Sequence, residues 1–327
     1  MKILVADSVS ERGVELLRKN PSFHVDVKTA LKEDQLCEII AGYDALIVRS
    51  ATKVTERILE AAKNLRVVGR AGVGVDNVDV GAATRRGIVV MNTPGGNTIS
   101  TAEHTFAMMM ALARHIPQAH ATMKAGKWDR KSFEGVELRY KTLGIIGMGR
   151  IGTEVARRAL VFGMRVLVYD PYLDLSRAKA LTVEIVGLDE IYARSDFITV
   201  HVPIGDETRG MINQETIAKM KNGVRLINCA RGGIINEKDL YDGIQSGKVA
   251  GAALDVYEQE PPKDLAVREL DRVVMTPHLA ASTTDAQETC GIEIAEQIAD
   301  ALSGGSIRNS VNLSKIDAKV LRCSSRT

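Results

Sequence analysis

The chain carries almost no net charge: 43 lysines and arginines stand against 41 aspartates and glutamates, for a formal charge of +2. The basic residues are scattered in pairs such as Arg85-Arg86 and Arg157-Arg158. They form neither the basic stripe that nucleic acid needs nor a polybasic patch for a membrane surface. Long apolar runs are missing as well. The opening Met1-Lys-Ile-Leu-Val-Ala-Asp7 meets a charge after four apolar residues, too soon for a signal-peptide core, and no run approaches transmembrane length. Cysteine is scarce. Cys37, Cys229, Cys290 and Cys323 are far apart and lack metal-ligand spacing, so they offer neither a disulfide framework nor a metal site and predict reduced thiols in a cytoplasmic protein. What remains is a 327-residue chain with 45% hydrophobic and 26% charged residues, the composition of a globular protein long enough for two domains.

Among what is present, the stretch Leu143-Gly-Ile-Ile-Gly-Met-Gly-Arg-Ile-Gly152 organises the rest: an apolar run turns into Gly147-x-Gly149-x-x-Gly152 and then into helical periodicity. The first glycine permits a tight strand-to-helix turn, the second admits a pyrophosphate against the backbone, and the third lets helix and strand pack closely. Phosphate oxygens then meet the free N–H groups of the helix N-terminus. The next strand, Met164-Arg-Val-Leu-Val-Tyr169, ends on Asp170, 18 residues beyond Gly152. A carboxylate there accepts hydrogen bonds from ribose hydroxyls and repels a 2′-phosphate, which predicts NAD rather than NADP. The bland alternative is that Asp170-Pro171 is only a turn.

Residues 1 to about 95 alternate β-branched runs with amphipathic helices, the arrangement of a parallel sheet covered on both faces. Lys2–Ala6 reads as a strand, and Ser8-x-x-Glu11 as a capping box for a helix through Leu16 and Leu17 that Pro21 stops. Phe23–Val27, Ala45–Val48, Val67–Val68 and Ile88–Met91 read as further strands. The cluster Gly69-Arg-Ala-Gly-Val-Gly-Val-Asp76 also follows a strand but lacks an acidic-ended strand after it, so it is read as a turn whose amides face a small anionic substrate. Asn97–Ala113 is a long helix, and its methionines suit a core or a subunit seam. A second α/β series follows, with strands Gly144–Ile146, Arg165–Tyr169, Phe197–Val200, Arg225–Ile227, Gly251–Leu254 and Val273–Met275. The helix Gln287–Leu302 is expected to return to the first domain, so that two crossings of the chain bound a cleft. The predicted architecture is two doubly wound parallel-sheet domains, a Rossmann NAD-binding domain at 98–280 inserted into a flavodoxin-like substrate-binding domain at 1–97 and 281–310. The polar, patternless residues 311–327 are read as a tail.

Three loops after successive strands carry the reactive side chains. Asn228-Cys-Ala-Arg-Gly-Gly233 presents Arg231, Glu258-Gln-Glu260-Pro-Pro262 presents Glu260, and Thr276-Pro-His278 presents His278. A guanidinium grips a carboxylate through two parallel hydrogen bonds. A histidine beside a carboxylate is an oriented base whose pKa is raised into the working range. That combination suits hydride transfer from a 2-hydroxy acid. Taken singly, each has an ordinary alternative: a loop salt bridge, a turn histidine, a solvated charge. His201, with no carboxylate nearby in sequence, is read as a cofactor-side or structural histidine.

Together with Asn92-Thr-Pro-Gly-Gly-Asn97, these motifs resemble the D-isomer-specific 2-hydroxyacid dehydrogenases over residues 1 to about 313. The resemblance implies a catalytic trio of Arg231, Glu260 and His278. It implies NAD held by Gly147, Gly149, Arg150, Ile151, Gly152, Asp170, His201, Val202, Pro203, Cys229, Ala230, Arg231, Asp255, His278, Ala281 and Val73. Within the family it is greatest to members acting on 3-phospho-D-glycerate at the entry to serine biosynthesis. That implies a substrate site of Arg49, Arg70, Gly72, Val73, Gly74, Arg231 and His278, with Arg130 reaching in from a second copy, and a homodimer or a dimer of dimers. A phosphate carrying nearly two negative charges calls for several cations, whereas glyoxylate needs only one. Reduction of glyoxylate or hydroxypyruvate, or an NAD-sensing binding protein, are the alternative readings. Ala280 stands where relatives commonly have glycine.

Overall fold

Nearly continuous apolar runs such as Ala45–Val48 become strands buried on both faces, and helices cover them. The computed structural model describes residues 1–173, 181–317 and 321. The chain divides into two units, Met1–Asn97 with the chain from Ala281 onward, and Thr98–Ala280.

In the first unit, β1 (Lys2–Val5), β2 (His24–Val27), β3 (Ala45–Val48), β4 (Val67–Arg70) and β5 (Val89–Asn92) form a parallel sheet in the order β2-β1-β3-β4-β5, the flavodoxin-like order. Helices α1 (Glu11–Arg18), α2 (Glu33–Ile39), α3 (Glu56–Ala61) and α4 (Val80–Arg85) fall between the strands. The Thr55 hydroxyl caps α3 and the Asp79 carboxylate caps α4. The capping box read at Ser8 and Glu11 does not form: α1 starts at Glu11 behind Ser10, with no side-chain cap. Tertiary packing sets that start. The long helix Thr284–Leu302, α11 below, packs on α1 through Gly13 and Gly291, where a Cβ on Gly13 would stand 2.4 Å from the Gly291 carbonyl oxygen.

The segment after Asn309 is not a loose tail. Ser310 bridges Met91 in antiparallel sense, and Val311 N–H donates to Val90 O at 2.9 Å. Asn312 is fully buried; its Oδ1 accepts from Val90 N–H at 2.9 Å, and its Nδ2 donates to Ile88 O and Thr84 Oγ1, each at 3.0 Å. The cause is β5, an edge strand whose backbone groups need partners. Residues 318–320 and 322–327 of the expected tail lie outside the described residues.

In the second unit, β6 (Thr142–Ile146), β7 (Arg165–Tyr169), β8 (Glu184–Ile185), β9 (Phe197–Val200), β10 (Val224–Asn228), β11 (Val249–Leu254) and β12 (Val273–Met275) are all parallel, in the order β12-β11-β10-β9-β6-β7-β8. The order reverses between β6 and β9, as in a Rossmann sheet. Helices α5 (Thr98–Arg114), α6 (Ile116–Lys124), α7 (Arg150–Val161), α8 (Leu188–Arg194), α9 (Gln214–Lys219) and α10 (Glu237–Gln245) complete the described part, before α11 (Thr284–Leu302) of the first unit. Met108 and Met109 of α5 are core residues beside Leu143, Ile145 and Val155. Tyr192, Ile217 and Leu240 belong to a second cluster, with Ile146, Ile198 and Leu226. Among the described residues no helix is long and apolar enough to cross a membrane.

Replacing Asn312 with Leu keeps the side chain's bulk and leaves the Val90 N–H and Ile88 C=O without partners. The expected cost is about 2 kcal/mol. It is read as a lower urea midpoint at unchanged slope.

Candidate active site

The glycine turn comes first. Gly147 follows β6 with φ 95°, and its N–H donates to Tyr169 O at 2.8 Å. A Cβ on Gly152 would lie 2.1 Å from Gly147 O, so the first turn of α7 seats directly on the loop. A Cβ on Gly149 would meet nothing within 4 Å. The turn therefore faces open space at the N-terminus of a 12-residue helix, a place that fits a pyrophosphate. Asp170, at the end of β7, accepts from Met148 N–H through Oδ2 and from Tyr172 N–H through Oδ1, both at 2.8 Å. One carboxylate thus ties the phosphate turn to the neighbouring strand end.

His201, Val202 and Pro203 follow β9. His201 N–H donates to Ile146 O at 2.7 Å, and its Nε2 lies 3.0 Å from Thr199 Oγ1. Burial pushes the His201 pKa down to about 4, so the ring is neutral. The Cys229 thiol after β10 is pushed up to about 12 by burial, with the Asp255 charge adding to it, which leaves it protonated and unreactive. The next loop is braced by Asn228, whose Oδ1 accepts from Ala230 N–H at 3.0 Å and whose Nδ2 donates to Arg231 O at 2.9 Å.

Arg231, Glu260 and His278 come from the loops after β10, β11 and β12, three neighbours in the sheet. His278 Nδ1 lies 2.7 Å from Glu260 Oε2, and Glu260 Oε1 accepts from Tyr257 N–H at 3.1 Å. The His278 pKa is raised, chiefly by this hydrogen bond to Glu260; burial and the Arg231 charge oppose it, and the Glu260 and Asp255 charges support it. Burial, the largest single influence, pushes Glu260 up, but the bond to His278, the His278 charge and the Tyr257 N–H together hold the carboxyl below its ordinary value. The charge of Arg231 is thus felt at the His278 ring, and the trio is one electrostatic unit.

Asp255 stands behind the trio, fully buried. Its Oδ1 accepts from the Thr276 hydroxyl at 2.6 Å and Leu279 N–H at 2.7 Å, and its Oδ2 accepts from Ala280 N–H at 2.9 Å. His104 Nε2, from α5, lies 3.3 Å from Asp255 Oδ1 and 3.1 Å from Thr276 Oγ1. Burial pushes Asp255 up, yet these donors together hold it below the ordinary carboxylate value. Sequence reasoning gave no role to His104, Thr276 or Asn228; Asn228 and Thr276 stand in the segments quoted for Arg231 and His278, whereas His104 has no local signal.

In the first unit, Arg49 follows β3 and Arg70 ends β4. The Arg49 loop is held by Asp7, whose Oδ2 accepts from Arg49 N–H at 2.6 Å and whose Oδ1 accepts from the Thr52 hydroxyl at 2.6 Å. Asn77 Nδ2 donates to Arg49 O at 2.8 Å. The Cys290 thiol is raised by burial and by the Glu293 charge, whereas the Thr93 hydrogen bond and the Arg70 and Arg49 charges pull it down. Gly72 has φ 140°, its carbonyl accepts from Thr93 N–H at 3.0 Å, and Val73 O accepts from Asn92 Nδ2 at 2.6 Å. Gly74 is in the same turn, and Ala281 opens the returning segment. Arg130 lies exposed in a segment without regular structure.

Comparison with known proteins places the chain in a family. Residues 106–280 match the family model described as D-isomer specific 2-hydroxyacid dehydrogenase, NAD binding domain. A D-3-phosphoglycerate dehydrogenase of Archaeoglobus fulgidus is 53% identical over 318 residues, 97% of this chain and 60% of that protein. One of Rattus norvegicus is 51% identical over 311 residues, 95% of this chain and 58% of that protein. The chain thus spans about three fifths of the length of these curated relatives. Among solved structures, the D-lactate dehydrogenase of Aquifex aeolicus complexed with NAD and lactic acid superposes with a TM-score of 0.82 at 31% identity, covering 95% of this chain and 99% of that one. The TT0316 protein of Thermus thermophilus superposes with a TM-score of 0.87 at 32% identity, covering 95% and 100%. The chain belongs to the D-isomer specific 2-hydroxyacid dehydrogenases, and Thr98–Ala280 contains its NAD-binding domain.

Substituting Glu260 with Gln removes the main cause that raises His278. The imidazole is then expected to titrate nearer its ordinary value, and so to lose its proton at a lower pH. An NMR titration of the His278 ring in both proteins checks this.

Proposed function

We propose that the chain oxidises 3-phospho-D-glycerate to 3-phosphohydroxypyruvate, the entry step of serine biosynthesis. The observation that carries this reading is the 2.7 Å contact of His278 Nδ1 with Glu260, beside Arg231. Arg231 grips the substrate carboxylate and so orients the carbon that bears the hydroxyl. With Nδ1 turned to Glu260, the free Nε2 of His278 takes the hydroxyl proton, and Glu260 stabilises the imidazolium that forms. NAD, when bound, accepts the hydride. Gly147, Gly149, Arg150, Ile151 and Gly152 suit its pyrophosphate, and Asp170 suits the ribose hydroxyls. His201, Val202, Pro203, Cys229, Ala230 and Asp255 line strand ends of the same sheet, and Val73 and Ala281 complete the proposed set. His201, neutral and half-buried, has no part in proton transfer.

Arg49 and Arg70 supply the cations for the phosphate, and the amides of Gly72, Val73 and Gly74 join Arg231 in receiving the substrate carboxylate. Two arginines at neighbouring strand ends, β3 and β4, suit a phosphate better than the single carboxylate of glyoxylate, which favours this reading over glyoxylate reduction. We also infer a homodimer. The second unit exposes Ile116, Met123, Trp128, Tyr140, Val161 and Phe162, a set of large apolar side chains that a second copy would cover, and Arg130 would then act across that contact. The free thiols of Cys37, Cys229 and Cys290 suit a cytoplasmic setting.

The test is NADH formation by the purified chain. Converting both Arg49 and Arg70 to Ala should lower kcat/KM for 3-phospho-D-glycerate by about 100-fold, the loss of two charge-assisted contacts. Reduction of unphosphorylated hydroxypyruvate, read as NADH consumption, should change only a few-fold. An equal loss on both substrates would remove the phosphate site from those arginines. Replacing His278 with Ala should cut kcat by about 100-fold or more while NAD affinity holds.

A further inference from the structure

We propose that His104 is a positioning residue that acts through Thr276 and Asp255 on the loop carrying His278. This rests on the function proposed above. The proton inventory of the cluster fixes the direction of each bond. Thr276 has one hydroxyl hydrogen, and it is committed to Asp255 Oδ1 at 2.6 Å. The Thr276 oxygen can therefore only accept from His104 Nε2, 3.1 Å away, and Asp255 Oδ1, 3.3 Å from the same nitrogen, can only accept as well. Nε2 of His104 must carry a hydrogen, which selects the ring's tautomer and makes it a donor to two oxygens at once.

What those oxygens hold is the reactive loop. Leu279 N–H and Ala280 N–H, the two amides after His278, both end on the Asp255 carboxylate, and His278 N–H donates to Asp255 O at 2.8 Å. His278 itself has φ 55°, a left-handed backbone that a non-glycine residue keeps only where its surroundings enforce it. His104 adds to that enforcement from α5, a 17-residue helix that packs against β10, β11 and β12. The donor is thus anchored on a rigid element while the acceptors sit at strand ends. The charged groups that face His278 are Glu260, Asp255 and Arg231, so a shift of the loop changes its distance from each of them.

The test uses two polar variants that differ in reach. In His104→Gln the amide nitrogen stands as many bonds from Cα as Nε2 does, and it donates in its place; in His104→Asn it stops one bond short. His104→Asn should lower kcat for NAD-dependent oxidation of 3-phospho-D-glycerate by about ten-fold, with KM and the NAD Kd within about two-fold. The His278 imidazole, followed by NMR, should titrate closer to its ordinary value, because the pair with Glu260 is held less firmly. His104→Gln should restore both readouts. The proposal is overturned if the two variants match the wild-type chain, or if both are impaired equally, since the ring's shape rather than its donor would then matter. Should the wild-type chain fail to reduce NAD with any 2-hydroxy acid, the functional reading fails, and the titration still decides the role of His104.

Discussion

A single carboxylate out of contact with water determines how the reactive end of the second sheet is built. Asp255 cannot remain charged in its buried position without donors, and the chain supplies them from the helix before the sheet and from the loop after β12. Satisfying that charge is the same act as shaping the loop. The turn through His278 takes its left-handed backbone because the amides on its far side are already committed. Glu260 then meets a ring whose position is settled, and the hydrogen bond between them is made at Nδ1. The arrangement costs desolvation at Asp255 and confers rigidity on the loop that carries His278.

The same device recurs at the dinucleotide turn and in the first unit. Asp170 commits both oxygens to backbone N–H groups, one of them within the glycine loop. Asp7 holds the loop that carries Arg49 in a similar way, through the N–H groups of Arg49 and Thr52. In each case an acidic residue at the carboxyl end of a parallel strand fixes a neighbouring loop, so these loops are held by side chains as well as by their own backbones.

Much of this was legible in the order of residues, because strand ends and glycine turns are local. Gly147, Gly149 and Gly152 carry their meaning in their spacing, and Arg231, Glu260 and His278 each follow an apolar run that can only be a buried strand. What escaped reading was long-range. His104 stands far from Thr276 and Asp255 in the chain, and nothing around it distinguishes it from any helical histidine. The box at Ser8 and Glu11 satisfied a local rule that the meeting of Gly13 with Gly291 overrode. β8 is two exposed residues, too short to show alternation. Asn312 looked like tail because a single buried amide, rather than a periodic pattern, attaches its segment to β5.

That attachment bears on the order in which the molecule can assemble. The unit that binds the dinucleotide is continuous from Thr98 to Ala280, whereas the other needs α11 and the residues around Asn312 to close its sheet. A ribosome delivers the first of these whole while the second still lacks its last helix and its edge partner. The inserted unit can therefore condense first, and the five-stranded sheet must wait for the far end of the chain to return, a loop closure that makes it the slower half to form.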